Sequence, residues 1–258
     1  MQFGMCTGPQ NAQAAKAAGW DFIEGHTQAM FQGESDQVDL SPLKQLPLPL
    51  PSANCLVPGS LKIVGPQVDF EALRRYMTNV LTRAGQTGVH TLVFGSGGAR
   101  GVPEGFDRDK ARSQILDFLR MSAPIAQQNG VTLVIEPLNR SECNIINSVA
   151  EAMTYVREVN HPAIRCLVDS YHFWLEDEPL ANLEAAMPWI GHVHVADKVG
   201  RTAPGESGAP EQSPYDAFFR TLKTGNYRGL ISVECKGFDI AQDSPRIIAF
   251  LREKWNNV

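Results

Sequence analysis

Four short strings in the C-terminal half of the chain each end an apolar run on a residue that can bind a cation or carry a proton. VTLVIEPLN carries Glu136, IRCLVDSYH carries Asp169, GHVHVAD carries His194 and LISVECK carries Glu234. Three carboxylates and one imidazole form a hard, oxygen-rich donor set. It suits one divalent metal ion, Mn²⁺ foremost with Mg²⁺ or Co²⁺ as alternatives, rather than a thiolate-type zinc site. Any one of these acidic residues could instead cap a following helix or pair with an arginine. Four consecutive strands that each do so are harder to explain in that way.

The elements that must hold these residues alternate along the chain. Strand-like runs lie at Phe3–Thr7, Asp21–His26, Ala53–Val57, Thr91–Gly95, Thr132–Pro137, Arg165–Ser170, Gly191–Ala196 and Leu230–Cys235. Several are nearly all apolar until their last residue, the pattern of a strand buried on both faces with its polar group at the C-terminal end. Between them, helical spacing runs through Gln10–Ala18, Asp69–Ala84, Asp107–Gln128, Asn147–Val159, Glu178–Ala186, Pro214–Thr224 and Ala241–Trp255. Asp69–Ala84 sets Phe70, Leu73, Met77, Val80 and Leu81 close to one face. Asp39–Leu46 is a weak helix before the proline-rich PLPLP. Eight β-α units predict a (β/α)8 TIM barrel, one domain over residues 1–258. In such a barrel all C-terminal strand ends open onto one face, so neighbouring strands bring the four donors together. A doubly wound open sheet is the structural alternative.

Composition narrows the function classes. A formal charge of -5 argues against a nucleic-acid partner, which needs a basic footprint. No run of about eighteen apolar residues is present, so no membrane role is expected. MQFGMCTGPQ at the N-terminus lacks the basic start and apolar stretch of a signal peptide. Cys6, Cys55, Cys143, Cys166 and Cys235 are scattered without CxxC spacing and read as reduced thiols in a cytoplasmic protein.

In order and approximate spacing, EPLNRSE, DSYH, HVH and ISVEC resemble the sugar isomerase/epimerase superfamily with a xylose-isomerase-like barrel. Within it the likeness is to ketose 3-epimerases of the tagatose/psicose type. The resemblance runs from about Thr91 to the C-terminus. It implies that Glu136, Asp169, His194 and Glu234 hold the metal, and that Glu136 and Glu234 also serve as the two acid/base groups. Glu142, six residues past Glu136, and His172, three past Asp169, fall at substrate-contacting positions. So does Arg201, one residue further past the histidine than the family pattern. The implied substrate is a small ketose or related polyol. One glutamate takes the C3 proton to give an enediolate and the other returns a proton on the opposite face, with the metal as Lewis acid. His172 and Arg201 would steady the charge that develops on oxygen. Homo-oligomers are common among such relatives.

Aldose–ketose isomerisation uses nearly the same parts. A lyase or dehydratase would start from the same proton abstraction and expel a β-hydroxyl. The barrel also resembles the apurinic endonucleases, but those need several metals and many histidines, and this chain has six. A non-catalytic barrel subunit is disfavoured by the intact donor set.

His192, the other histidine of HVH, is expected by alternation to point away from His194 and to be structural. GSGGARG (Gly95–Gly101) reads as a flexible loop over the site, with Arg100 keeping a phosphorylated substrate open; it lacks the spacing of a phosphate-binding loop. Thr202–Pro214 reads as a long loop, either a substrate cover or a solvated connection. Tyr171, Phe173 and Trp174 could wall the substrate or pack in the core. Trp20 and Phe22 read as packing residues.

Overall fold

A computed structural model describes residues 1–258. Its strands are β1 (Gln2–Cys6), β2 (Phe22–His26), β3 (Ser52–Asn54), β4 (Thr91–Phe94), β5 (Thr132–Ile135), β6 (Ile164–Asp169), β7 (Ile190–Val195) and β8 (Leu230–Val233). All neighbours are parallel, their order around the wall is their order in sequence, and β8 pairs with β1. The sheet is therefore a closed barrel, and the open-sheet alternative, which has two free edges, is excluded. The helices are α1 (Ala12–Ala17), α2 (Thr27–Phe31), α3 (Phe70–Thr87), α4 (Gly97–Arg100), α5 (Arg108–Gln128), α6 (Val149–Val159), α7 (Ser170–Leu175), α8 (Leu180–Ala186), α9 (Tyr215–Thr224) and α10 (Ile240–Asn256).

Side-chain caps start the long helices. Asp69, Asp107, Ser148 and Asp239 accept backbone N–H bonds in the first turns of α3, α5, α6 and α10. Periodicity does not reveal α2 and α7, because helices of five and six residues hold under two turns. Strand β3 stops at Asn54 rather than Val57, since Cys55 has a φ of 55° and turns the chain out of the ladder. The weak helix near Asp39 is a short 3-10 turn, Ser41–Gln45.

Two buried apolar groups do not touch each other. The large one lies between the outer strand faces and the helices; Val93, Val134 and Leu167 form the small one. These three sit on adjacent strands β4, β5 and β6 and fill part of the barrel interior. The rest of that interior is polar: Glu24, Ser52, His192 and Ser232 are all buried there. Phe173 and Trp174 pack edge-on against Phe218, and Trp174 also meets Tyr215, so both belong to the core under α9. Trp20 is likewise core, donating Nε1–H to Ser244 Oγ at 2.8 Å. No helix is long and apolar enough to cross a membrane.

Candidate metal centre

Four strands deliver the expected donors to one point. Glu136 follows β5, its N–H held by Phe94 O at 3.1 Å. Gly95 beside it has no side chain, and a Cβ there would collide with Glu136 Oε2. Asp169 ends β6, opposite His194 of β7. Glu234 follows β8, tied by its N–H to Val195 O at 3.1 Å. One ligand atom from each of Glu136, Asp169, His194 and Glu234 lies within 4.8 Å of all the others.

Asp169 does both jobs that its position permits. Oδ1 caps α7 by accepting from Tyr171 N at 2.9 Å, while Oδ2 faces the site, 3.3 Å from Arg201 Nη2 and 3.6 Å from His172 Nε2. Helix capping and site chemistry are thus not exclusive here.

His194 turns Nδ1 toward Glu136 Oε1 at 3.3 Å and Glu234 Oε2 at 3.4 Å, and Nε2 toward Glu24 Oε1 at 2.8 Å. Glu136 Oε1 and His194 Nδ1 are both buried without a hydrogen-bond partner. Buried lone pairs gathered without donors are costly unless a cation joins them. The donor set therefore fits a divalent metal ion by both chemistry and geometry. Burial, followed by the Glu234 charge, holds the Glu136 carboxyl above its ordinary range. Burial also lifts Asp169 to about 6, against the pull of Arg201. At Glu234 burial pushes the same way, but His194 and Arg201 outweigh it and bring the group down to about 2.

The three further expected residues also meet at this face. His172, 2% exposed, accepts on Nδ1 from Asn139 N at 3.1 Å. That leaves Nε2–H pointing to the site side, where it has no partner. Burial lowers its pKa, which favours the neutral ring. Glu142 Oε1 accepts from Asn139 Nδ2 at 3.0 Å and lies 3.7 Å from Arg201 Nη1. Arg201, at a φ of 55°, bridges Glu234 and Asp169 and stacks on Tyr171 with its guanidinium 4.9 Å from the ring centre.

Some expectations need correction. His192 does not point away from His194: residues two apart on a strand share a face, and both rings reach Glu24, His192 Nε2 at 2.6 Å. Arg100 is no loop arginine awaiting a phosphate. It is fully buried in α4 and donates to Phe94 O at 2.8 Å and Glu136 O at 2.7 Å, so it ties strand ends together. In the Thr202–Pro214 loop, Gly205 N and Ser207 N donate to Asp197 at 3.0 and 2.9 Å.

Sequence reasoning missed Glu24, Asn54 and Asn139. Asn54 Nδ2 donates to Glu234 Oε1 at 2.7 Å. A glutamate inside the apolar string FIEGH was the visible signal for Glu24. Cys6, Glu24 and His194 form a second close group. Burial and the Glu24 charge hold the Cys6 thiol well above its ordinary pKa, which disfavours the thiolate that a metal would need.

Residues 12–254 match the family described as xylose isomerase-like TIM barrel. The chain is 33% identical to the 3-dehydro-D-guloside 4-epimerase of Escherichia coli over 153 residues, 58% of this chain and 56% of that protein. It is 28% identical to the L-ribulose 3-epimerase of Methylomonas sp. over 165 residues, 64% of this chain and 55% of that one. The match thus spans about half the length of these curated relatives. Among solved structures, D-psicose 3-epimerase with D-tagatose from Clostridium cellulolyticum superposes with a TM-score of 0.84. That alignment covers 99% of each chain at 18% identity, a likeness of fold.

Proposed function

The chain belongs to the xylose isomerase-like TIM barrel family, and from that premise we propose that it is a divalent-metal-dependent sugar epimerase acting on a small ketose or related polyol by 3-epimerisation. The observation that carries this reading is the meeting of Glu136 and Glu234, from strands three places apart around the wall, at the Nδ1 face of His194. The relatives named as 3- and 4-epimerases support the class.

A divalent ion held by Glu136, Asp169, His194 and Glu234 would supply Lewis-acid polarisation of adjacent substrate oxygens. The chain's own groups do the rest. Glu136 and Glu234 approach the substrate from different sides; one removes the C3 proton and the other delivers a proton to the opposite face of the enediolate. His172, fixed by Asn139 with Nε2–H outward, donates to the oxygen where charge builds, and Arg201 adds its positive charge. Glu142, steadied by Asn139, accepts from a substrate hydroxyl.

Proton exchange tests the reading. Incubated with Mn²⁺ in D₂O, the protein is expected to place deuterium at C3 of a ketose and to yield a reversible mixture of two epimers, read by NMR over a panel of ketoses. The 4-epimerase relative, named for a 3-dehydro sugar, favours a second reading, in which a substrate with its carbonyl at C3 takes the label at C4. One such 3-keto sugar therefore belongs in the panel. Label at C1 or C2 would move the assignment to an aldose–ketose isomerase. Loss of water would move it to a dehydratase. A panel in which no carbon-bound proton exchanges would overturn the enediolate chemistry.

His172→Ala should keep its metal and lose catalytic power. One positioned donor to a developing oxyanion is worth about 10²–10³-fold, so kcat/KM is expected to fall by about that factor while metal content, measured by elemental analysis, stays at the wild-type level. A metal-depleted variant would put His172 among the ligands instead.

A further inference from the structure

The barrel interior carries a charge that packing alone does not call for. At mid-depth, strands β4, β5 and β6 contribute Val93, Val134 and Leu167, while β2, β3, β7 and β8 contribute Glu24, Ser52, His192 and Ser232. A buried carboxylate is costly unless it is fully hydrogen-bonded, and an apolar filling was open to the fold on this side as on the other. The polar half lies directly beneath His194.

The two oxygens of Glu24 are used differently. Oε2 accepts from Ser52 Oγ at 2.9 Å, Ser232 Oγ at 2.6 Å and His192 Nε2 at 2.6 Å. Oε1 meets only His194 Nε2, at 2.8 Å. Three donors from three strands anchor one oxygen, so the other is aimed at one ring nitrogen. An ionised carboxylate can only accept, so the Glu24 contact calls for a proton on Nε2 of His194, and the neutral ring then presents its Nδ1 lone pair to Glu136 and Glu234.

We propose that Glu24 is a positioning residue for the metal centre, fixing the tautomer and ring orientation of His194, with Ser52, Ser232 and His192 as its anchor. This rests on the metal-dependent reading above. A carboxylate behind a ligating imidazole strengthens the imidazole as a donor, and losing such a partner weakens metal binding by about 10- to 100-fold. In Glu24→Gln the three anchoring donors hold the amide oxygen, which turns the amide NH₂ toward His194. That favours a proton on Nδ1, where the ion must bind.

The test is calorimetric titration of the folded protein with Mn²⁺, wild type beside Glu24→Gln, with thermal unfolding of the metal-free forms as the control. Glu24→Gln is expected to bind Mn²⁺ about 10- to 100-fold more weakly, a loss that persists among molecules shown to be folded. A folded variant with the wild-type dissociation constant overturns the proposal and leaves the metal reading standing. Wild-type protein that takes up no Mn²⁺ overturns both. If the variant does not fold, ¹⁵N-histidine spectra of the wild type with Mg²⁺ decide: a protonated Nε2 and bare Nδ1 at His194 support the proposal, and the opposite tautomer overturns it.

Discussion

Glu136→Gln and Glu234→Gln are each expected to lower kcat by about 10²–10⁴-fold, because each would remove one of the two proposed proton carriers. Glutamine keeps the size of the side chain and one oxygen donor but cannot take up a proton. Each variant therefore separates ligand from base. Metal content, measured alongside turnover, should fall only partly. A sharper result follows from having two carriers on two faces. With Glu234 disabled, a carboxylate at Glu136 can still remove and return the proton on its own face. The epimer presenting its proton there should wash deuterium in from D₂O without forming its partner. The reciprocal variant should do the same with the other epimer. Exchange that is uncoupled from epimerisation, on opposite epimers in the two variants, identifies which glutamate serves which face. Near-wild-type turnover in either variant removes that residue from the pair.

How much of this was legible in sequence follows from where each contact is made. The three carboxylates stand out because a barrel strand is buried on both faces, so one acidic residue at the end of VTLVI, IRCLV or LISV closes a nearly apolar run. Parallel topology then gathers those ends without any further information. Glu24 was not legible as a partner of His194, since 170 residues separate the two and only closure of β8 on β1 makes them neighbours. His192 was misread for a local reason: its period-2 partner is His194 itself, and the alternation places them together. Arg201 shows that counting loop residues assumes a regular path, whereas Gly200 and Arg201 both take positive φ, and the guanidinium still reaches Glu234 and Asp169. Arg100 looked available because basic residues in glycine-rich strings usually face water. Its burial depends on the carbonyls of Phe94 and Glu136, which sequence does not bring to it.

On the metal-dependent reading proposed above, removing the ion should abolish activity and lower thermal stability together. Glu24, Glu136, Asp169 and Glu234 place four carboxyl groups around His194, and Arg201 is the one guanidinium among them. Without a divalent ion, burial and repulsion by the Glu234 charge work against the ionised forms of Glu136 and Asp169, while His194 and Arg201 hold Glu234 low. An ion that binds only the folded chain relieves that repulsion and stabilises by mass action, about 2.7 kcal/mol at a hundredfold excess over Kd. For a chain of this size each kcal/mol moves Tm by about 2–4 °C, so saturation with Mn²⁺ should raise Tm by about 5–10 °C over the EDTA-treated protein. Differential scanning calorimetry across a Mn²⁺ series reads this without any knowledge of the substrate. Glu136→Gln and Glu234→Gln should show a smaller rise, because each holds the ion more weakly. Activity on any ketose that the wild type converts should vanish with EDTA and return with Mn²⁺ or Co²⁺. Full activity in protein shown by elemental analysis to be metal-free would overturn the metal-dependent reading. A Tm indifferent to Mn²⁺ would show that the ion does not bind among these four residues.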